Sequence, residues 1–290
     1  MIRRLNYARA FSTDRKALFP SKNLFRRSDQ QSFMAKYRDE GFSTLELNLV
    51  KEYRGLADDA IKHANESEFI RISILFLKEL QKLPRNSILS CDFKGVNYSR
   101  SSHVHEAYKV VLSKAFQRSL YVTGHQLSEP FNYSGHFING TVGIGKTTVL
   151  QLCASVTGQL LPNYISFYTN ARQMHFRSTR RLLIEALNEH LPVSERVHSD
   201  TPMNAALATA NINNIAIGIF VDELQDIWCR DEWDDLRACC TSYHTAVFLS
   251  NTYIPHYARL TPQEMKEINW TRYETFFKGS IEKFGIDISF

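Results

Sequence analysis

The order of apolar and polar positions divides the chain into two parts. Between about residues 49 and 120 the apolar residues recur at three- and four-residue spacing, the signature of helices that bury one stripe. Leu49, Val50, Tyr53, Leu56, Ala57, Ala60 and Ile61 predict a first helix. Phe69 to Leu83, stopped by Pro84, predicts a second, and Val104 to Leu120 a third. From about residue 131 short β-rich runs alternate with helical ones, which is how a mainly parallel sheet with crossover helices reads in sequence. The expected strands are His136 to Asn139, Tyr164 to Thr169, Ile215 to Val221 and Ala246 to Ser250. The expected helices are Thr147 to Val156, Thr179 to His190, Met203 to Ala210 and Asp231 to Ser242. The organisation that follows is a basic arm over 1–28, a mainly helical region over 29–130 and an α/β domain over 131–290.

Composition refines this picture. The chain has 290 residues, 43% of them hydrophobic, enough for one large core or two modest ones. No apolar run approaches the roughly 18 residues of a membrane span, so the expectation is a soluble globular protein. Of the 35 basic and 30 acidic residues, eight basic and one acidic fall in residues 1–28, leaving 27 basic and 29 acidic in the remainder. The formal charge of +5 therefore belongs to the arm, and the rest of the chain offers no electrostatic support for a nucleic-acid partner. The opening MIRRLNYARAFST is arginine-bearing, without acids until Asp14, and carries Ser and Thr beside apolar residues, as mitochondrial presequences do. Mitochondrial import is the expectation, with cytoplasm or nucleus as the alternative. Five cysteines, an odd number with no CxxC pair, argue for reduced thiols and against a structural zinc site.

The chemistry concentrates in GTVGIGKTT. Three glycines and a lysine fill residues 140–146 immediately before an apolar helical run. Helix starts leave N–H groups unpaired and concentrate partial positive charge, so a glycine-rich turn leading into one is a ready anion site. Gly140, four intervening residues, then Gly145-Lys146-Thr147 is P-loop spacing. Backbone amides across Gly140, Thr141, Val142, Gly143, Ile144, Gly145 and Thr148 are expected to curl around a nucleotide's phosphates, with Lys146 reaching the β- and γ-phosphates and Thr147 ligating Mg²⁺. Downstream, Ile215 to Val221 ends in Asp222-Glu223. Parallel strands converge at one edge, which lets Asp222 face the same Mg²⁺ and Glu223 polarise a water as general base.

Together GTVGIGKT and IGIFVDE resemble the Walker A and Walker B motifs of the additional-strand, catalytic-glutamate P-loop ATPases, with spacing similar to the AAA+ and STAND-type branches. The resemblance covers roughly residues 131–255. It implies a P-loop NTPase three-layer sandwich, ATP and Mg²⁺ as cofactors, and hydrolysis coupled to remodelling or assembly of a macromolecular partner or of the chain with itself. It also implies a polar sensor after the fourth strand, for which Asn251 is the candidate and Ser250 the reserve. An arginine finger is expected too, with Arg230, Arg237, Arg259 and Arg272 as candidates. The short stretch after Asn251 leaves little room for a helical lid. DELQD at 222–226 also resembles motif II of superfamily 1 helicases, but no second RecA-like domain fits after it. GTP is the alternative to ATP, although an NKxD motif is absent. Competing readings are a nucleotide-holding structural or switch subunit with little turnover, a nucleotide kinase using Arg177, Arg180 and Arg181, and a nucleic-acid-handling ATPase.

Overall fold

The structure is a computed structural model that describes residues 42–84, 102–125, 135–140, 145–171, 174, 178–224, 230–252 and 285–287. The basic arm, loop residues Thr141 to Ile144, Arg177, Gln225, Asp226, Arg259 and Arg272 lie outside the described residues, as do the side chains of Arg230 and Asn251.

Three helices come first: α1 (Thr44–Lys62), α2 (Glu66–Lys82) and α3 (Ser102–Val122). α1 starts five residues before its first predicted apolar position because Ser43 and Glu46 form a reciprocal capping box. Asn65 caps α2 through the Glu68 N–H, and the helix ends at Lys82, with Leu83 as its extended C-cap just before Pro84. The α/β part follows as β1 (Gly135–Gly140), α4 (Lys146–Leu160), β2 (Tyr164–Asn170), α5 (Thr179–His190), α6 (Met203–Ile212), β3 (Ala216–Asp222), α7 (Arg230–Cys240), β4 (Thr245–Thr252) and β5 (Gly285–Asp287). Most elements run one to four residues past or short of their expected bounds, β5 had no expected range, and two of the boundaries have plain local reasons. Ile215 donates its N–H back to the Ala210 carbonyl at the end of α6, so β3 begins one residue later. At the end of α7, Thr241 and Ser242 close tight turns onto Ala238 and Cys239, so the helix stops at Cys240.

The sheet has five strands in the order β2-β3-β4-β1-β5, and every pairing is parallel. β4 thus separates the loop-bearing strand β1 from the Asp-Glu strand β3. Side chains alternate between two faces, and each face has its own core. Phe137, Ile165, Phe167, Ile217, Ile219, Val221, Val247 and Leu249 pack with α5, α6 and α7. Ile138, Tyr164, Ala216, Phe220, Ala246 and Phe248 pack with α4 and with all three N-terminal helices. Those helices therefore build one layer of the same sandwich, with α2 and α3 locked by stacked Phe69 and Phe116, whose ring centroids are 4.9 Å apart. Arg54 of α1, buried, donates to the Gln159 carbonyl in the last turn of α4 at 3.5 Å, where a cation complements the helix dipole. α4 is anchored at that end while its N-terminus faces the loop.

Candidate functional site

β1 delivers the chain at the C-terminal edge of the sheet, and Gly145 turns it into α4 with φ 105°, a left-handed conformation that favours glycine. Gly145, at the N-cap, makes no side-chain cap hydrogen bond. Lys146 opens the helix and is buried. Burial pulls its ammonium below the usual lysine range, against the opposing attraction of Glu223 and Asp222. Thr147 is exposed and Thr148 half-buried in the same turn.

β3 ends at the same edge. Asp222 is 2% exposed, and a buried carboxylate needs donors. It has four. Thr147 Oγ1 donates to Oδ2 at 2.8 Å across 75 residues of sequence, and Tyr168 Oη donates to the same oxygen at 2.9 Å. Ser250 Oγ donates to Oδ1 through a short hydrogen bond. The Glu223 N–H is shared between Oδ1 and Ser250 Oγ, each at 3.1 Å. Glu223 itself has φ 56°, left-handed backbone that is uncommon outside glycine, and its N–H bonds hold it there. Residues from α4, β2, β3 and β4 thereby meet on one carboxylate.

The structure brings together Lys146, Thr147, Asp222 and Glu223. Asn251 lies in β4 opposite Asn139 of β1, but Ser250, the reserve for the sensor position, is the residue with described contacts to Asp222. Tyr168 is a site residue that sequence reasoning missed, since it sits inside the strand YISFYTN with no local mark. Gln151, one turn after Thr147 on α4, and Asn170 lie near enough to its phenol to pull its pKa down, against larger opposing effects. Burial first, then the neighbouring Asp222 charge, pushes that phenol well above the usual tyrosine range, so it is a neutral donor.

Two of the arginines between the motifs face acids. Arg181 bonds Glu185 at 2.9 Å along the exposed side of α5; burial raises the Glu232 and Asp235 carboxyls of α7, and Arg180 lies close enough to offset part of that rise. Glu232, also missed in sequence, accepts the Thr179 N–H at 3.1 Å and so ties α7 to the start of α5. Burial pushes the Cys153 and Cys239 thiols up, the behaviour of inert core cysteines. Among the described residues no group of three or more His, Cys, Asp or Glu is gathered to hold a metal ion, and no helix is long and apolar enough to cross a membrane.

Thr147 and Asp222 form a hard oxygen pair of the kind Mg²⁺ takes when it keeps several waters and leans on substrate phosphates. The donor chemistry therefore fits a magnesium–nucleotide. No protein-family model, no curated protein and no solved structure matches this chain.

Proposed function

We propose that the chain is a P-loop ATPase with a three-layer sandwich fold, which binds Mg²⁺-ATP at the C-terminal sheet edge and uses binding and hydrolysis to remodel or assemble a macromolecular partner. The observation that carries this reading is the Thr147–Asp222 hydrogen bond, which joins the two motifs that the sequence separates. The strand order supports it as well. β4 lies between the strands that bear the two motifs, as the name of the additional-strand group describes.

In this reading the glycine-rich turn and the first amides of α4 bind the phosphates, and Lys146 supplies the positive charge nearest the β- and γ-phosphates. Thr147 and Asp222 would hold Mg²⁺, which when bound would offset the charge developing on the phosphate oxygens. Glu223 orients the attacking water and takes its proton, and the γ-phosphoryl group passes to that water as ADP leaves.

A second reading is a nucleotide-holding switch or structural subunit with little turnover, because Lys146 and the Thr147–Asp222 pair would serve binding whether or not hydrolysis follows. The arginine contacts give no support to a kinase or nucleic-acid role, since Arg180 and Arg181 face carboxylates.

The experiment is ATP and GTP turnover measured beside nucleotide binding for the full chain, with Glu223→Gln as the control. Wild-type turnover with Glu223→Gln binding but silent is the expected result. Tight binding without wild-type turnover selects the switch reading, and no binding at all removes both.

A further inference from the structure

Asp222 takes donors from both flanking strands, and the two sides differ in what they hold. Oδ1 is fixed by Ser250 of β4 and by the Glu223 N–H. Oδ2 receives Thr147 and Tyr168. In the β2–β3 register Asn170 stands opposite Asp222 and Tyr168 opposite Phe220, so Tyr168 is the diagonal neighbour of Asp222 on the same sheet face. A phenol is long enough to span that diagonal. Gln151 lies four residues after Thr147 on α4 and therefore on the same helix side, near the phenol. Thr147 of α4 and Tyr168 of β2 thus converge on one oxygen of Asp222 in β3.

We propose that Tyr168 is a positioning residue for magnesium, holding Asp222 Oδ2 in place beside the Thr147 hydroxyl, whose lone pairs can turn to the metal ion while its hydrogen stays on Oδ2. This rests on the reading of the site as a magnesium–nucleotide site and deepens it. Of the two side-chain donors described on Oδ2, Tyr168 is the one that takes no part in holding the metal. Without it Oδ2 is held by Thr147, itself drawn toward the metal ion, and the carboxylate can tilt. Groups that orient metal-holding residues without touching the metal typically cost 10- to 100-fold in metal affinity when removed. Tyr168→Phe keeps the ring and its packing and removes only the hydroxyl.

The test titrates free Mg²⁺ into the full chain with a fluorescent ATP analogue and reads the midpoint of the magnesium-dependent gain in binding. For Tyr168→Phe the midpoint is expected to rise about tenfold, while affinity for the magnesium-free analogue stays within about twofold of wild type. Gln151→Met, which removes the amide beside the phenol, is expected to shift the midpoint the same way and by less, and it decides the matter if Tyr168→Phe does not fold. Midpoints within a factor of about two of wild type in both variants overturn the proposal, as does an equal loss of binding with and without Mg²⁺. A wild-type chain that binds no analogue at all sinks the nucleotide reading itself, and that result is distinguishable from a failure of Tyr168 alone.

Discussion

Two ends of one sheet face treat polar groups in opposite ways. At the C-terminal edge Asp222 is surrounded by Thr147, Tyr168, Ser250 and the Glu223 N–H, so its burial is matched by donors. Toward the N-terminal edge of the same face, His136 and Tyr164 are also buried, yet His136 Nε2 and the Tyr164 hydroxyl have no hydrogen-bond partner among the described residues. His136 is used as a flat ring, stacked on Phe248 at 5.3 Å. Burial, reinforced by Arg118 and Lys114, lowers its pKa to about 3, so it is neutral. Tyr164 lies across Gly218, where a Cβ would sit 2.4 Å from the hydroxyl. A buried polar side chain is thus not by itself the mark of a site. A closed set of donors drawn from several elements around a charged group is the more telling feature.

The largest effect should come from breaking the closed end. Asp222→Asn replaces an acceptor of four hydrogen bonds with a group that turns a donor toward two of them. A loss of about 3 kcal/mol in urea unfolding is expected, and a loss below about 1 kcal/mol would show that the network is loose. At the apolar end, Gly218→Ala forces the Tyr164 ring to move and should cost about 2 kcal/mol in the same assay. His136→Phe has the opposite sign. The folded-state pKa of His136 lies below the unfolded value of 6.5, so the unfolded chain binds a proton that the folded one does not as pH falls from 6.5 toward about 3. That loss of stability disappears in the variant, which should exceed wild type by about 2 kcal/mol more at pH 5 than at pH 8. A parallel pair of pH–stability curves would contradict the assignment. Smallest of all, Arg181→Ala removes an exposed i,i+4 pair and should change stability by less than about 0.5 kcal/mol; nucleotide binding should be untouched.

Sequence alone carried the elements of the α/β part, because apolar runs bounded by turns leave few alternatives. Parallel-strand logic also placed Asp222 beside Thr147, since both follow strands that end at one edge. The N-terminal helices were legible as helices, but an amphipathic stripe does not say what it packs on. Their place as a layer over Phe220, Phe248 and Tyr164 emerges only in three dimensions. Tyr168 was illegible for a related reason: inside a buried strand a tyrosine looks like core, and its link to Asp222 depends on the β2–β3 register. Arg180 and Arg181, which a kinase reading would aim at a phosphate, have acidic neighbours instead.

Calorimetric titration of the full chain with ATP and Mg²⁺, run beside Lys146→Ala, tests the central claim most directly. The account predicts one saturable site per chain in the wild type and at least a tenfold weaker one, about 1.4 kcal/mol, in Lys146→Ala. No heat of binding in the wild type, or equal affinity in the two proteins, would contradict it.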